Sequence, residues 1–373
     1  MGESRLEQGM THAARRLRPN RISRLAGATA LLVTMLVSGG SAGAEPGDVK
    51  VMTRNVYLGA DLTGATQAPD LPTLFAEAGE ILRDVDATNF PARSRPLARE
   101  ILDAKPDLVG LQEVALWRVD TTPDFDGEFN ANEVRYDFLD LLMDRLGDEY
   151  RIAKIQKEFD FESPADEDDN GSAEIEGRLT MRDVILARRG HGVEFTRARG
   201  AHFENLLELD ISGFPVTVQR GWTSVNANVR GERFRFVNTH LEAFTTRHRR
   251  KQARELVAPG GPAQAENPVV LVGDLNSDDD TVFGRDRLAY ELLLDFGFEE
   301  RSDASASCCA SNELLDDPSA VGDFDHQVDH VMTDTPGIEL VDSFDTGTTP
   351  FRDAPPPIWA SDHGGVFSKL RFR

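Results

Sequence analysis

The chain has 373 residues, 40% of them hydrophobic, and a formal net charge of −23. The apolar content supports a sizeable core and excludes a wholly disordered chain. So acidic a surface repels polyphosphate backbones at long range, which counts against a dedicated nucleic-acid-binding protein unless divalent ions reverse the sign locally.

The first 44 residues differ in kind from the rest. Basic RRLRPNRISR precedes the apolar run LAGATALLVTMLVSGG, and Ala42-Gly43-Ala44 follows. This is the layout of an export signal cleaved after Ala44. Residues 1–44 are therefore expected to be a signal peptide, and 45–373 a secreted catalytic domain. The apolar run is shorter than the ~20 residues a membrane span needs.

DVKVMTRN, residues 48–55, reads as a first strand. LPTLFAEAGEILRDV places Leu74, Ala78, Ile81 and Leu82 on one helical face, and residues 92–104 read as a second helix that Pro106 stops. DLVGLQEV follows as a short buried strand, then VDTTPDFDGEFN as a loop. The cleanest helical pattern is ANEVRYDFLDLLMDRLG, with Val134, Phe138, Leu141, Leu142 and Leu146 on one face and Gly147 as its stop. YRIAKIQKEF and LTMRDVILAR read as strands around ESPADEDDNGSAE, a charged, turn-rich loop expected to be mobile. FPVTVQ, WTSVNANV and ERFRFVNTHLE form a β-rich run, its last two members joined as a hairpin by Arg230-Gly231-Glu232. TTRHRRKQARELV is a basic helix, 268–273 a strand, RDRLAYELLLDFGF a helix, and HQVDHVMT and SDHGGVFSKLRF two late strands.

Strand–helix–strand units mixed with antiparallel hairpins argue for a layered α/β sandwich with mixed sheets. Dinucleotide fingerprints and Walker loops are absent. Polar residues gather at the ends of apolar strands: Asn55, Glu113, Asn238 with His240, Asp274 with Asn276, Asp329, and Asp362 with His363. Carboxylates and histidines brought to one rim need a cation or a proton to offset their desolvation.

Taken in order, RNVYLG, PDLVGLQEV, MRDVILAR, NTHLEA, GDLNS, VDHV and SDHGGV resemble the endonuclease/exonuclease/phosphatase superfamily across about residues 49–371. That superfamily includes pancreatic deoxyribonuclease and neutral sphingomyelinase. The resemblance implies a four-layer α/β sandwich, two packed mixed β-sheets with outer helices, and metal-dependent cleavage of a phosphoester. It implies that Glu113, Asn55 and Asp362 serve the metal, with hard oxygen donors suiting Mg²⁺ and Mn²⁺ or Ca²⁺ as alternatives. Asp274 is expected to align or deprotonate the attacking water, and Asn276 to donate to a phosphoryl oxygen, which a carboxylate there could not do. His363 is expected against the scissile phosphate, oriented by Asp329. His240 would contact phosphate or protonate the leaving oxygen, and Arg182 would clamp phosphate or simply pair with an acid. Gln327-Val328-Asp329 departs from the Arg-Ile-Asp of many relatives.

The substrate stays open. A nuclease would want a basic groove with aromatic platforms, which this acidity disfavours. A phospholipid or sphingomyelin phosphodiesterase would want apolar loops for transient membrane contact. The candidates are LWRV around Trp117, Phe214-Pro215 with Trp222, and PPPIW at 355–359. A small phosphodiester, an inactive binding protein on the same fold and a calcium-stabilised surface protein are further readings. DEDDNGS and SDDD read as solvated loops rather than calcium loops. Cys308 and Cys309, adjacent, could form a vicinal disulfide or remain free thiols. The phosphoester is the one partner expected, and the chain is expected to be a monomer.

Overall fold

The computed structural model describes residues 47–123, 125, 127–279, 286–303, 307–310, 324–352 and 358–373. The expected export signal and Pro355–Pro357 lie outside them. In chain order the first strands are β1 (Asp48–Asn55), β2 (Leu108–Gln112), β3 (Leu116–Asp120), β4 (Glu133–Asp137), β5 (Tyr150–Ala165) and β6 (Ile175–Arg188). Then come β7 (Val193–His202), β8 (Leu207–Ile211), β9 (Phe214–Val218), β10 (Gly221–Val229), β11 (Glu232–His240) and β12 (Val269–Asp274). The last are β13 (Glu299–Glu300), β14 (Asp329–Thr333), β15 (Ile338–Thr346) and β16 (Gly365–Phe372). The α-helices are α1 (Thr63–Thr66), α2 (Leu71–Thr88), α3 (Phe90–Ala104), α4 (Phe138–Leu146), α5 (Thr246–Val257) and α6 (Leu288–Asp295).

One sheet has the order β15-β16-β1-β2-β6-β3-β4 with β5 on β6, the other β13-β14-β12-β11-β10-β7, and β8-β9 stand apart as a hairpin. Both sheets are mixed: β1–β2 and β11–β12 run parallel, and their neighbours pair antiparallel. The period of two along each strand builds the layers. On β12, Val270 and Val272 face Val51, Leu108 and Ile185 of the other sheet. Val269 and Leu271 turn outward under Leu256 and Leu292 of α5 and α6. Val109 and Leu111 of β2 turn outward under Leu82, Leu97 and Leu142 of α2, α3 and α4. Helix, sheet, sheet and helix thus make the expected four-layer sandwich.

Three expectations need correction. Residues 131–147 are not one helix. Glu133–Asp137 pairs with β3, and Val134 is 57% exposed. The helix begins after Asp137, whose carboxylate accepts from Leu139 and Asp140 N–H as its N-cap. Strand pairing at an open sheet edge overrides the helical period. Second, LWRV is no surface loop: it lies in β3, and Trp117 is 3% exposed. Third, the loop at 162–174 is tied down. Asp166 accepts from Asn170 and Gly171 N–H, Glu174 accepts from Glu167 and Asp168 N–H, and Arg83 donates to the carbonyls of Asp166 and Glu167. Gly79 permits this approach, because a Cβ there would lie 1.9 Å from the Asp166 carbonyl oxygen. Asp166, Asp168 and Asn170 do alternate, and Asp166 and Asp168 lie near Glu174. Strands β7, β8 and β15 had no sequence expectation; β7 and β15 are sheet edges whose mostly exposed or half-buried residues need no apolar alternation.

Candidate active site

Strand direction gathers the site. Parallel pairing ends β1 and β2 on one rim, with Asn55 opposite Gln112 and Glu113 following. Parallel pairing likewise makes His240 and Asp274 partners at the ends of β11 and β12. Antiparallel β14 starts where β12 ends, so Asp329 stands opposite Asp274. Asp362 and His363 arrive just before β16, which runs antiparallel to β1. The sheets meet closely behind this rim because β2 carries a glycine: a Cβ on Gly110 would lie 2.5 Å from Asn238 Oδ1. Asn238 itself is not at the cleft. It accepts from Gln112 Nε2 at 2.6 Å and donates to the Leu111 carbonyl at 3.1 Å, cross-linking the sheets.

Asp274 is the hub. Its Oδ2 accepts from Asn55 Nδ2 at 3.1 Å, its Oδ1 from Asn276 N–H at 2.8 Å, and His363 Nε2 is 3.7 Å away. Burial, with Asp329 adding to it, pushes its pKa up to about 6. Asn276 lines the cleft with φ +48°, and its Nδ2 donates to the Leu241 carbonyl at 3.0 Å. His363 Nδ1 meets Asp329 Oδ2 at 2.8 Å. Burial opposes the charged imidazole, but Asp329, Asp274 and Asp362 outweigh it, so His363 is held protonated well above the ordinary range.

Glu113 takes φ +58° and accepts from Leu58 N–H at 2.9 Å. Its pKa and that of Asp362 are raised chiefly by burial, and Asp362 raises Glu113 further. This surplus of buried carboxylate fits a hard divalent cation. Asp329 Oδ1 is buried and has no hydrogen-bond partner among the described residues, and Asn55 Oδ1 accepts only from Tyr57 N–H at 2.9 Å. Glu113, Asp362 and Asn55 are the residues that would hold the ion.

Two expected site residues remain, Arg182 and His240. Arg182 does not reach out as a phosphate clamp: it pairs with Asp137 at 2.6 Å and donates to the Val114 and Ala115 carbonyls at 2.9 and 3.0 Å. It therefore braces the loop that carries Glu113. His240 is buried, its Nε2 3.4 Å from Asp274 Oδ2 and 3.9 Å from Glu113 Oε1. Burial and the nearby Arg220 cation hold it neutral, well below the ordinary range, and Arg220 Nη1 donates to its Nδ1 at 2.9 Å. A neutral ring with Nδ1 occupied can only donate from Nε2. Arg249 of the basic helix turns inward to the Glu242 and Ala243 carbonyls and Asp286. His330, next to Asp329, faces away to Glu300 and the Ser277 carbonyl. Cys308 and Cys309 are joined as a vicinal disulfide, and their strap bonds both site segments: Ser307 Oγ accepts from Asp329 N–H, and Ala310 N–H donates to the Asp362 carbonyl.

Sequence reasoning missed Arg220, which lines the cleft at the entry to β10, and Arg54, which donates to the His363 carbonyl. Arg220 lies in no motif, and Arg54 opens RNVYLG without any local sign of where its side chain turns. It also missed Glu158 on β5, fully buried, with no hydrogen bond to either carboxylate oxygen among the described residues. Burial, then Asp183, raises Glu158 well above the ordinary range against the pull of Arg220. The folded state keeps a proton that the unfolded chain releases above pH ~4.3, so this residue's contribution to stability falls as pH rises from there. Glu158→Gln is expected to stabilise the protein at pH 8 by about 1–3 kcal/mol, the gain vanishing toward pH 4; urea denaturation at both pH values reads it, and a destabilised variant at pH 8 would contradict the assignment.

The fold and the rim define a class, the metal-assisted phosphoester hydrolases. Solved structures share the fold: an endonuclease/exonuclease/phosphatase family protein from Bacteroides thetaiotaomicron aligns with a TM-score of 0.54 at 15% identity, over 88% of this chain and 99% of that one. A humanized TDP2 of D. rerio aligns at 0.51 and 14% identity, over 87% and 99%. A mannosyl-6-phosphatase of B. thetaiotaomicron aligns at 0.51 and 16%, over 87% and 100%. No curated protein matches the sequence. The model of the Endonuclease/Exonuclease/phosphatase family matches residues 55–363, and the chain belongs to that family. Its members are metal-dependent hydrolases of phosphoester bonds.

Proposed function

We propose that this chain is a secreted, Mg²⁺-dependent phosphodiesterase acting on a phospholipid or another small phosphodiester by activated-water attack. The observation that carries this reading is Asp274, a buried carboxylate flanked by Asn276 and by the His363–Asp329 pair. Export rests on the layout of residues 1–44. When bound, the cation neutralises developing charge on the phosphoryl oxygens. Asp274, ionised, takes the proton of the attacking water. Asn276 has a second amide hydrogen beyond the one given to Leu241, and offers it to a phosphoryl oxygen. Protonated His363, kept in orientation by Asp329, donates to another. Neutral His240 donates from Nε2 toward Glu113 and Asp274, and Arg220 adds positive charge to the cleft wall.

The test is hydrolysis of bis-p-nitrophenyl phosphate by residues 45–373 with Mg²⁺, Mn²⁺ or Ca²⁺, then with a chelator. Turnover is expected with metal and is expected to fall to background on chelation and return on adding metal back. Turnover unaffected by chelator would overturn the metal-dependent reading. DNA cleaved faster than small diesters would move the substrate to nucleic acid.

A further inference from the structure

The catalytic rim opens at one end of a cleft whose other end is apolar. Glu113, Asn276, Asp362, His363 and Arg220 line the polar end. Leu62, Phe159, Leu209, Ile211, Val216 and Val218 line the other, and the last four belong to the β8–β9 hairpin. The cleft encloses about 270 Å³. Leu62, Phe159 and Ile211 also wall a smaller recess of about 70 Å³ against Leu74, Leu82 and Trp117. Ile211 and Leu74 border a third recess as well, where Phe214, 56% exposed, and Phe129 stand at the rim. The three cavities share apolar walls, and the cleft's own apolar end leads away from the scissile position.

Among the described residues, Arg220 is the only arginine or lysine lining any of the three. A polyanionic substrate needs a track of cations along its backbone, and this path has none. Its walls reward loss of apolar surface from water.

Resting on the phosphodiesterase reading, we propose that the substrate carries an alkyl or acyl chain, and that the apolar chamber at that end of the cleft, walled by the β8–β9 hairpin, seats this chain while the phosphate lies on the rim. The hairpin is then the specificity element, and chain length sets the rate.

The experiment compares kcat/KM for p-nitrophenyl methyl phosphate and p-nitrophenyl octyl phosphate, both kept below micelle-forming concentration, with the purified enzyme and saturating Mg²⁺. The leaving group is the same, so the ratio reports the chain alone. Each methylene buried is worth up to about 4-fold, so the octyl ester is expected to be favoured by about 10-fold or more. Ile211→Asn and Leu62→Asn, which put an amide into the chamber wall, are expected to bring the ratio toward one. The ratio is taken within each variant, so partial loss of folded enzyme cancels. A wild-type ratio near one, with both esters hydrolysed, would overturn the proposal and leave the phosphodiesterase reading standing. A high ratio that survives both substitutions would overturn the assignment to this chamber. Failure to hydrolyse either ester or bis-p-nitrophenyl phosphate would sink the phosphodiesterase reading, and the proposal with it.

Discussion

Asp274→Asn is expected to lower kcat toward a p-nitrophenyl phosphodiester by about 10²–10⁴-fold, the usual worth of a positioned general base. The substitution is nearly isosteric, and an amide oxygen can still accept from Asn276 N–H, although its nitrogen cannot accept from Asn55 Nδ2. What is lost is the negative charge that takes the water's proton. The effect therefore falls on kcat more than on KM. In wild type the base must be ionised, so kcat/KM is expected to rise with pH as Asp274 loses its proton. The variant should lose that limb. Without metal, burial holds the Asp274 pKa at about 6, above its ordinary 3.8. That carboxyl is thus a destabilising charge above this window, and metal-free Asp274→Asn should melt no lower than wild type at pH 7. A variant that keeps a tenth or more of the wild-type kcat would remove Asp274 as the base; lowered activity together with a lowered melting temperature would indicate misfolding instead.

Arg93→Met is expected to destabilise the protein by about 3–5 kcal/mol, the cost of breaking a fully buried charged network. Arg93 is 0% exposed. Its guanidinium donates to the carbonyls of Thr88, Val56, Tyr57 and Ala360 at 2.9 to 3.2 Å and lies against the rings of Tyr57, Phe90 and Phe138. Methionine fills the volume but leaves those carbonyls without a donor in a dry interior. Two of the tethered segments flank the site: Val56 and Tyr57 follow Asn55, and Ala360 precedes Asp362. Activity should therefore decline with stability. Arg93→Lys should rescue little, because an ammonium cannot reproduce the planar fork that spans several carbonyls. Thermal melting and the activity assay read both effects. A melting temperature within about 1 °C of wild type, less than about 1 kcal/mol for a domain of this size, would refute the role.

The two results concern different kinds of information. Asp274, Asn276 and His363 sit in short motifs at the ends of apolar runs, and both the strands and the polar residues can be read from the order of residues. Arg93 lies within a helix whose apolar positions account for its pattern. Nothing local says that its side chain turns inward, since its partners stand 5 to 267 residues away. Arg220 is hidden for the same reason. It precedes β10 without a motif, and only the pairing of β10 with β11 brings it beside His240. Arg182 stood open between a phosphate clamp and an ion pair, and Asp137, two strands away in the same sheet, makes it the pair.

The hydrophobic periods, the turns and the polar strand ends are local properties, and they sufficed for most of the strands and helices, the mixed sheets, and a carboxylate–histidine rim. They failed where an element is specified by its neighbour, as at Glu133–Asp137, which β3 holds in a strand, and at the edge strands β7 and β15. Three matters needed the tertiary structure: which rim residues face the cleft, which buried cations hold them, and how the β8–β9 hairpin closes an apolar chamber beside them. Side-chain direction and charge pairing depend on the register between strands distant in sequence, and that register is set by packing two sheets together, where no single segment carries the information.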